Sequence, residues 1–242
     1  MVIPTYQEAE NIATVLGRVR TALPAASVLV VDDGSPDGTA DLADAVATEV
    51  GQVEVLRRPG KAGLGSAYRA GFAHGIERGF DVLIEMDADL SHDPADLPRL
   101  VAAVKDGASV AIGSRYVPGG ATPNWPRPRL WLSRWGNRYV GVILGLGVRD
   151  ATAGFRAYRA PTLEAIDYRS TRADGYAFQV EMAYRVRTVG HSITELPITF
   201  SDRERGTSKM SGRIVVEAML LVTWWGIRDR LLRRPRRWGS DA

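Results

Sequence analysis

Val28-Leu29-Val30-Val31-Asp32-Asp33-Gly34-Ser35 is an unbroken apolar run that stops abruptly in two acids, a glycine and a serine. A short run of this kind, bounded by turn formers, is the pattern of a fully buried strand. Ahead of it, Ile12, Val15, Leu16, Val19 and Leu23 recur with the helical period, and Met1-Val2-Ile3 reads as the end of an earlier strand, with further residues expected before it. Strand, helix and strand therefore follow one another, and the alternation continues. A helix is expected over residues 39–50, a strand over 53–56, a glycine-punctuated loop, a helix over 66–78 and a second buried run, Val82-Leu83-Ile84-Glu85-Met86, ending in Asp87-Ala88-Asp89. Asp93-Pro94 has the chemistry of a helix start, a capping carboxylate before proline, for a helix running to about residue 105. The next strand is expected over residues 109–113.

This alternation predicts an α/β fold whose mostly parallel sheet is covered by helices and binds ligands beyond the carboxyl ends of its strands. Both acidic clusters fall at such ends. Side chains two apart on an extended segment share a face, so Asp87 and Asp89 can converge on one divalent cation or on what it carries. Taken alone, the pair could equally be a turn. Past Arg115 the pattern loosens into a Pro/Gly-rich link over 118–128, an amphipathic stretch over 130–144, strands over 154–159 and 193–200, a helix over 179–188 and a polar loop over 201–212. One domain is expected over residues 1–212, followed by a C-terminal element over 213–242. Residues 214–227 are apolar nearly all round but fall short of the about 18 needed to cross a bilayer. With Trp224, Trp225 and the arginines that follow, they suit a helix lying at a membrane surface or packed on the domain.

Composition narrows the chemistry. The chain of 242 residues contains no cysteine, which excludes disulfides, thiolate metal sites and cysteine nucleophiles, and its three histidines are scattered, which disfavours a histidine-built zinc site. No basic stretch followed by an apolar one opens the chain, so no signal peptide is expected. The formal charge of +3 is unevenly spread: between Gly107 and Arg149 no acid occurs, yet Arg115, Arg127, Arg129, Arg134, Arg138 and Arg149 all do. Such a block points to an anionic partner. Nucleic acid is one reading, helped by Trp125, Trp131 and Trp135 within the block, but the acidic strand ends would repel a phosphate backbone. Gly60-Lys61-Ala62-Gly63-Leu64-Gly65 lacks the spacing and the Gly-Lys-Ser/Thr ending of a phosphate loop.

Three polar strand ends occur in order: Pro4-Thr5-Tyr6-Gln7-Glu8, Asp33-Gly34-Ser35-Pro36-Asp37-Gly38-Thr39 and Asp87-Ala88-Asp89-Leu90-Ser91-His92. They are followed by Gly113-Ser114-Arg115-Tyr116, Gly154-Phe155-Arg156-Ala157-Tyr158-Arg159, Gly175-Tyr176-Ala177-Phe178-Gln179-Val180-Glu181, and Arg203 with Gly206-Thr207-Ser208-Lys209. On these motifs the chain resembles, nearly end to end, the family 2 glycosyltransferases of GT-A fold, and among them the dolichyl or polyprenyl phosphate mannosyltransferases. The resemblance implies a single GT-A domain with a mixed sheet and a C-terminal amphipathic helix. It implies an inverting transfer of mannose from GDP-mannose to polyprenyl phosphate at the cytoplasmic face of a membrane, assisted by a membrane-anchoring partner or fused membrane domain. UDP-glucose is the alternative donor.

The resemblance also implies roles. Pro4, Tyr6, Glu8, Val31 and Asp33 hold the nucleoside, and Asp87 and Ala88 complete its pocket. Asp89 and Ser91 coordinate Mg2+ or Mn2+ on the diphosphate, although Ser91 stands where some members carry glutamine, a better ligand. Arg115, Arg203 and Lys209 engage the donor diphosphate or the acceptor phosphate, and Arg129 and Ser133 hold the acceptor phosphate. Asp89, Arg115 and Arg129 are thus the expected catalytic residues. A phosphate monoester, with its second pKa near about 6, is largely ionised at neutral pH and needs no general base, so His92 is expected to shape the loop.

Overall fold

The computed structural model describes residues 1–202 and 212–232. Its centre is one seven-stranded sheet in the order β3-β2-β1-β4-β6-β5-β7. The strands are β1 (Val2–Thr5), β2 (Val28–Asp32), β3 (Val53–Arg57), β4 (Val82–Glu85), β5 (Val110–Ser114), β6 (Arg156–Arg159) and β7 (Ile193–Pro197). All pairings are parallel except those of β6, which runs against both β4 and β5. The helices are α1 (Ile12–Ala22), α2 (Thr39–Val50), α3 (Leu64–Glu77), α4 (Leu97–Lys105), α5 (Arg127–Leu144), α6 (Ala160–Ala165), α7 (Gly175–Thr188) and α8 (Gly212–Leu232). The alternation of strand and helix is as the apolar runs predict, and the mixed sheet carries its single antiparallel strand after the arginine-rich block.

The chain builds outward from β1 through β2 to β3, then returns to place β4 on the other side of β1. That reversal opens a crevice between the carboxyl ends of β1 and β4, the usual ligand position in such sheets. Two apolar layers hold the sheet: one face buries Ile3, Val30 and Ile84 against α1 and α4, the other buries Val2, Val31 and Leu83 against Tyr68, Phe72 and Phe178 of α3 and α7.

Several boundaries differ from expectation. The Asp93 carboxylate does cap, accepting from the Ala95 N–H at 3.1 Å, but it caps a single 3-10 turn over Pro94–Asp96, and the α-helix proper starts at Leu97. The last strand stops at Pro197, after which Thr199 makes an isolated bridge to Ala121. Helix α7 begins four residues earlier than its periodicity indicates, because the apolar positions it offers are buried on nearly every side and the 3.6-residue stripe is lost.

Helix α8 packs on α5 and α7. Val222 is buried, Trp225 stacks on Tyr184 with ring centroids 6.0 Å apart, and the Tyr139 and Thr223 hydroxyls meet at 2.6 Å. Gly226 permits the approach, since a Cβ there would lie 2.5 Å from Ile143 Cγ2. The same helix leaves Leu220, Trp224 and Ile227 exposed. No helix among the described residues is long and apolar enough to cross a membrane. Arg203 and Lys209, and the arginines from Arg233 onward, lie outside the described residues.

Candidate active site

The loops that follow β1 and β2 are laced together by backbone donors. The Gln7 N–H donates to Ser35 Oγ at 3.0 Å, Glu8 N–H to Thr39 Oγ1 at 3.0 Å and Ala9 N–H to Asp37 Oδ2 at 3.2 Å. Asp32 is committed to the turn itself, accepting from Thr5 Oγ1, Ser35 N–H and Ser35 Oγ. Asp33 points the other way. Its Oδ2 accepts from the Ala62 N–H at 3.2 Å, and Oδ1 lies 2.8 Å from Arg58 Nη1 at an angle too bent for a hydrogen bond. The glycine-rich loop is thereby drawn over the site, and Lys61 Nζ sits 4.7 Å from the centroid of the Tyr6 ring. Gly63 and Gly65 are required there: a Cβ would lie 2.7 Å from the Asp174 carboxyl carbon at the first and 2.7 Å from the Ala173 carbonyl at the second.

Two adjoining cavities result. One is lined by Pro4, Tyr6, Glu8, Asp33, Lys61 and Gln179 among others, the second by Ser91, His92, Arg115, Arg129, Phe200 and Asp202. They share Asp87, Asp89, Thr152, Gly154 and Tyr176, so the two carboxylates stand where the cavities meet. Ala88 lines the first cavity and is itself buried. Val31 lies in neither lining: its side chain is fully buried in the apolar layer behind the first cavity, so it contributes a wall and no side-chain contact.

The turn that presents the acids is tight. Asp89 Oδ1 accepts from the Ser91 N–H at 3.0 Å across Leu90, whose φ of 63° is left-handed and unfavourable for a branched side chain. Ser91 Oγ is buried and has no hydrogen-bond partner among the described residues. The Asp89 carboxylate and this orphaned hydroxyl two residues on offer oxygen donors only, which fits a hard divalent cation that keeps positions for other oxygens. No group of three or more His, Cys, Asp or Glu able to hold a metal occurs among the described residues. His92 is buried, stacked on Phe155 at 5.0 Å and edge-on to Phe200 at 5.2 Å.

Beneath the first cavity lies a fully buried network. Glu85 accepts from Tyr158 Oη at 3.0 Å and Gln179 Nε2 at 3.2 Å, while Arg156 lies 3.6 Å away. Arg156 points its donors at the carbonyls of Ala151, Ala153 and Gln179 and at Tyr158 Oη. Burial therefore outweighs the arginine and the two hydrogen bonds, and the Glu85 carboxyl is pushed up to about 7.

The arginines of the acid-free block differ sharply. Arg115 is buried and chelates Asp150 through Nε at 2.7 Å and Nη2 at 2.5 Å, with Nη2 also on Thr152 Oγ1 at 2.8 Å. Although burial opposes its charge, Asp150 raises its pKa further above the ordinary arginine value. Arg129 is about half exposed, lies 3.9 Å over the Trp125 ring and pairs with Asp202 at 2.7 Å. Ser133, one turn along α5 from Arg129, accepts a 2.6 Å hydrogen bond from Tyr116 Oη.

The motifs do not disclose several residues that the fold brings in. Asp150 and Thr152 fix Arg115 across a long sequence separation, and Asn137 Nδ2 joins Ser133 O at 3.0 Å to Thr152 Oγ1 at 3.1 Å. Lys61 belongs to a loop whose glycine pattern carries no phosphate-loop signature. Asp202 precedes Arg203 in a segment read only as a polar loop.

The family model for glycosyl transferase family 2 matches residues 1–167. Polyprenol monophosphomannose synthase of Mycolicibacterium smegmatis is 53% identical over 96% of this chain and 88% of its own length. Undecaprenyl-phosphate mannosyltransferase of Micrococcus luteus is 55% identical over 95% of this chain and 94% of its own. Dolichol-phosphate mannosyltransferase of Pyrococcus furiosus is 36% identical over 96% of this chain and 66% of its own. Among solved structures, glucosyl-3-phosphoglycerate synthase of Mycobacterium tuberculosis, in complex with Mn2+ and UDP-glucose, superposes with a TM-score of 0.69 at 18% identity, covering 92% of this chain and 77% of that one. That likeness is one of fold.

Proposed function

The chain belongs to glycosyl transferase family 2 and, within it, to the polyprenyl-phosphate mannosyltransferases, and from that premise we propose that it transfers mannose from GDP-mannose to polyprenyl phosphate in one inverting displacement. The observation that carries the reading is the shared position of Asp87 and Asp89 at the junction of two cavities, one walled by strand-end acids and the other by Arg115 and Arg129 with Asp202. A sugar nucleotide in the first and a phosphate in the second would bring leaving group and nucleophile to opposite sides of one anomeric carbon.

Pro4, Tyr6, Glu8, Asp33, Asp87 and Ala88 hold the nucleoside, with carboxylates accepting from base N–H and ribose hydroxyls and the Tyr6 ring flanking the base. Asp89, with Ser91, would hold Mg2+ or Mn2+, and such an ion would supply positive charge for the departing diphosphate. Arg203 and Lys209 add cationic charge to that diphosphate. Arg129 and Ser133 are one helical turn apart on α5 and orient the acceptor phosphate. Arg115 is tied to Asp150, so it stands as a fixed wall of the acceptor cavity, its charge balanced by that carboxylate. Because the acceptor is already ionised, no residue has to take its proton.

The acceptor is a lipid, and the helix that brings Arg129 to its cavity, with α8 packed on it, presents apolar side chains to solvent. Trp131, Leu132, Trp135 and Val142 of α5 are exposed, as are Leu220, Trp224 and Ile227 of α8. Residues 213–242 act with α5 as the element that holds the protein at the cytoplasmic face of a membrane, alongside a membrane-anchoring partner or fused membrane domain. Lipid-linked mannose formation with a short polyprenyl phosphate tests the reading, with GDP-mannose and UDP-glucose run side by side. Turnover of GDP-mannose alone is expected; preferred turnover of UDP-glucose would overturn the donor assignment.

A further inference from the structure

The contact between Arg129 and Asp202 is of an unusual kind for a binding cavity, since the guanidinium assigned to the acceptor phosphate already carries an anion. Nη1 of Arg129 donates to Asp202 Oδ1 at 2.7 Å, and both side chains line the arginine-rich cavity. Among the described residues this is the only ion pair of either group. We infer that Asp202 is an internal competitor, a carboxylate that takes the acceptor phosphate's place on Arg129 and is displaced when the phosphate enters. The inference rests on the acceptor assignment made above.

Three features point to displacement. First, the aim of Arg129 does not depend on Asp202: the guanidinium lies 3.9 Å over the Trp125 ring, and that ring is itself set edge-on against Phe200 at 5.6 Å. A stacked arginine keeps its plane when one anion leaves and another arrives. Second, the bridge is weak by position, because both partners are about half exposed, at 48% and 42%. A phosphate monoester brings nearly two negative charges and three acceptor oxygens to the same fork, so it outcompetes one carboxylate. Third, Asp202 is brought to Arg129 by a segment anchored elsewhere. Phe200 N–H donates to Ala121 O at 2.9 Å and Ser201 N–H to Ser91 O at 3.1 Å, so the backbone is held up to Ser201 independently of the ion pair. The chemistry is a simple exchange of anions, with no bond made or broken. Its consequence is that acceptor affinity is set below what Arg129 alone would give, and that weaker anions are kept off the cavity.

The test uses the full-length protein with a short polyprenyl phosphate, and inorganic phosphate as a competing probe. Asp202→Asn keeps the shape and removes the charge. It is expected to lower the acceptor KM about two- to fivefold, the range of an exposed ion pair, to strengthen inhibition by inorganic phosphate in parallel, and to leave the donor KM unchanged. Asp202→Glu should stay close to the wild type, and Asp202→Asn should bring no gain in an Arg129→Ala background. A gain that disappears in the Arg129→Ala background separates competition for Arg129 from a general loss of negative charge in the cavity. An acceptor KM that is unchanged or raised in Asp202→Asn, while Arg129→Ala raises it, would overturn the inference alone and make Asp202 a support for Arg129. An acceptor KM untouched by Arg129→Ala would overturn the acceptor assignment and the inference with it.

Discussion

The cavity around Tyr6 and Asp33 is walled by strand ends whose loops bind one another through several backbone donors, and it rests on the buried network of Glu85, Gln179 and Arg156. The cavity around Arg129 is walled by one helix, a turn pinned through Asp150, and a segment tethered to Ser91 and Ala121. The first is built from loops tied to one another and to a buried floor. The second keeps Arg129, the residue proposed for the acceptor phosphate, half exposed and paired to Asp202. A donor that must be held rigidly for displacement and a lipid that must enter from a surface make these different demands on the same sheet.

The sharpest way to break this picture is at the junction. Asp89→Ala should lower lipid-linked mannose formation by roughly a thousandfold, in the range for loss of a main charge-stabilising group, with thermal stability little changed. A variant within a few-fold of wild type would detach the metal from the chemistry. Next comes the buried pair of the acceptor side. Asp150→Ala leaves the Arg115 guanidinium buried without its carboxylate and should cost about 3–5 kcal/mol in chemical denaturation. A loss under about 1 kcal/mol would mean that Arg115 does not depend on Asp150 to offset its burial.

The floor of the donor side is tested through pH. The Glu85 carboxyl stands at about 7 in the folded protein against an ordinary 4.5. Between those values the native state binds a proton that the unfolded chain releases, so this group's burial penalty is full above pH 7 and is relieved as pH falls toward 4.5. Stability of the wild type relative to Glu85→Gln should therefore rise on acidification across that window, by about 3 kcal/mol in total. A difference independent of pH would place the Glu85 pKa in the ordinary range. The smallest effect is expected at the surface. Trp131→Asp or Trp224→Asp should weaken binding to anionic vesicles by about 1–3 kcal/mol each, with turnover of a soluble short-chain acceptor retained. Unchanged vesicle binding would remove α5 and α8 from the membrane contact.

The two cavities also differ in how far the chain announces them. Apolar runs ending in acids, such as Val28 to Asp33 and Val82 to Asp87, give both the strands and a wall of the first cavity, because strand, turn and cavity lining there are contiguous in sequence. Arg115 and Arg129 look alike as members of one acid-free block. Their different states are set by Asp150, Trp125 and Asp202, and a partner brought in by folding leaves no mark on local composition. Val31 shows the converse: it sits in the right stretch, yet strand pairing and α3 bury its side chain behind the pocket. The start of α7 was hidden because a helix buried on nearly all sides has no stripe to read.

The division of labour between the cavities is tested most directly by the KM values for the two substrates in Asp33→Asn and Arg129→Ala, assayed with GDP-mannose and a short polyprenyl phosphate. The expected result is a crossed pattern: Asp33→Asn raises the donor KM by about tenfold and leaves the acceptor KM alone, and Arg129→Ala does the reverse, each loss being that of a charge-assisted hydrogen bond. Both variants raising the same KM, or each raising both equally, would contradict it.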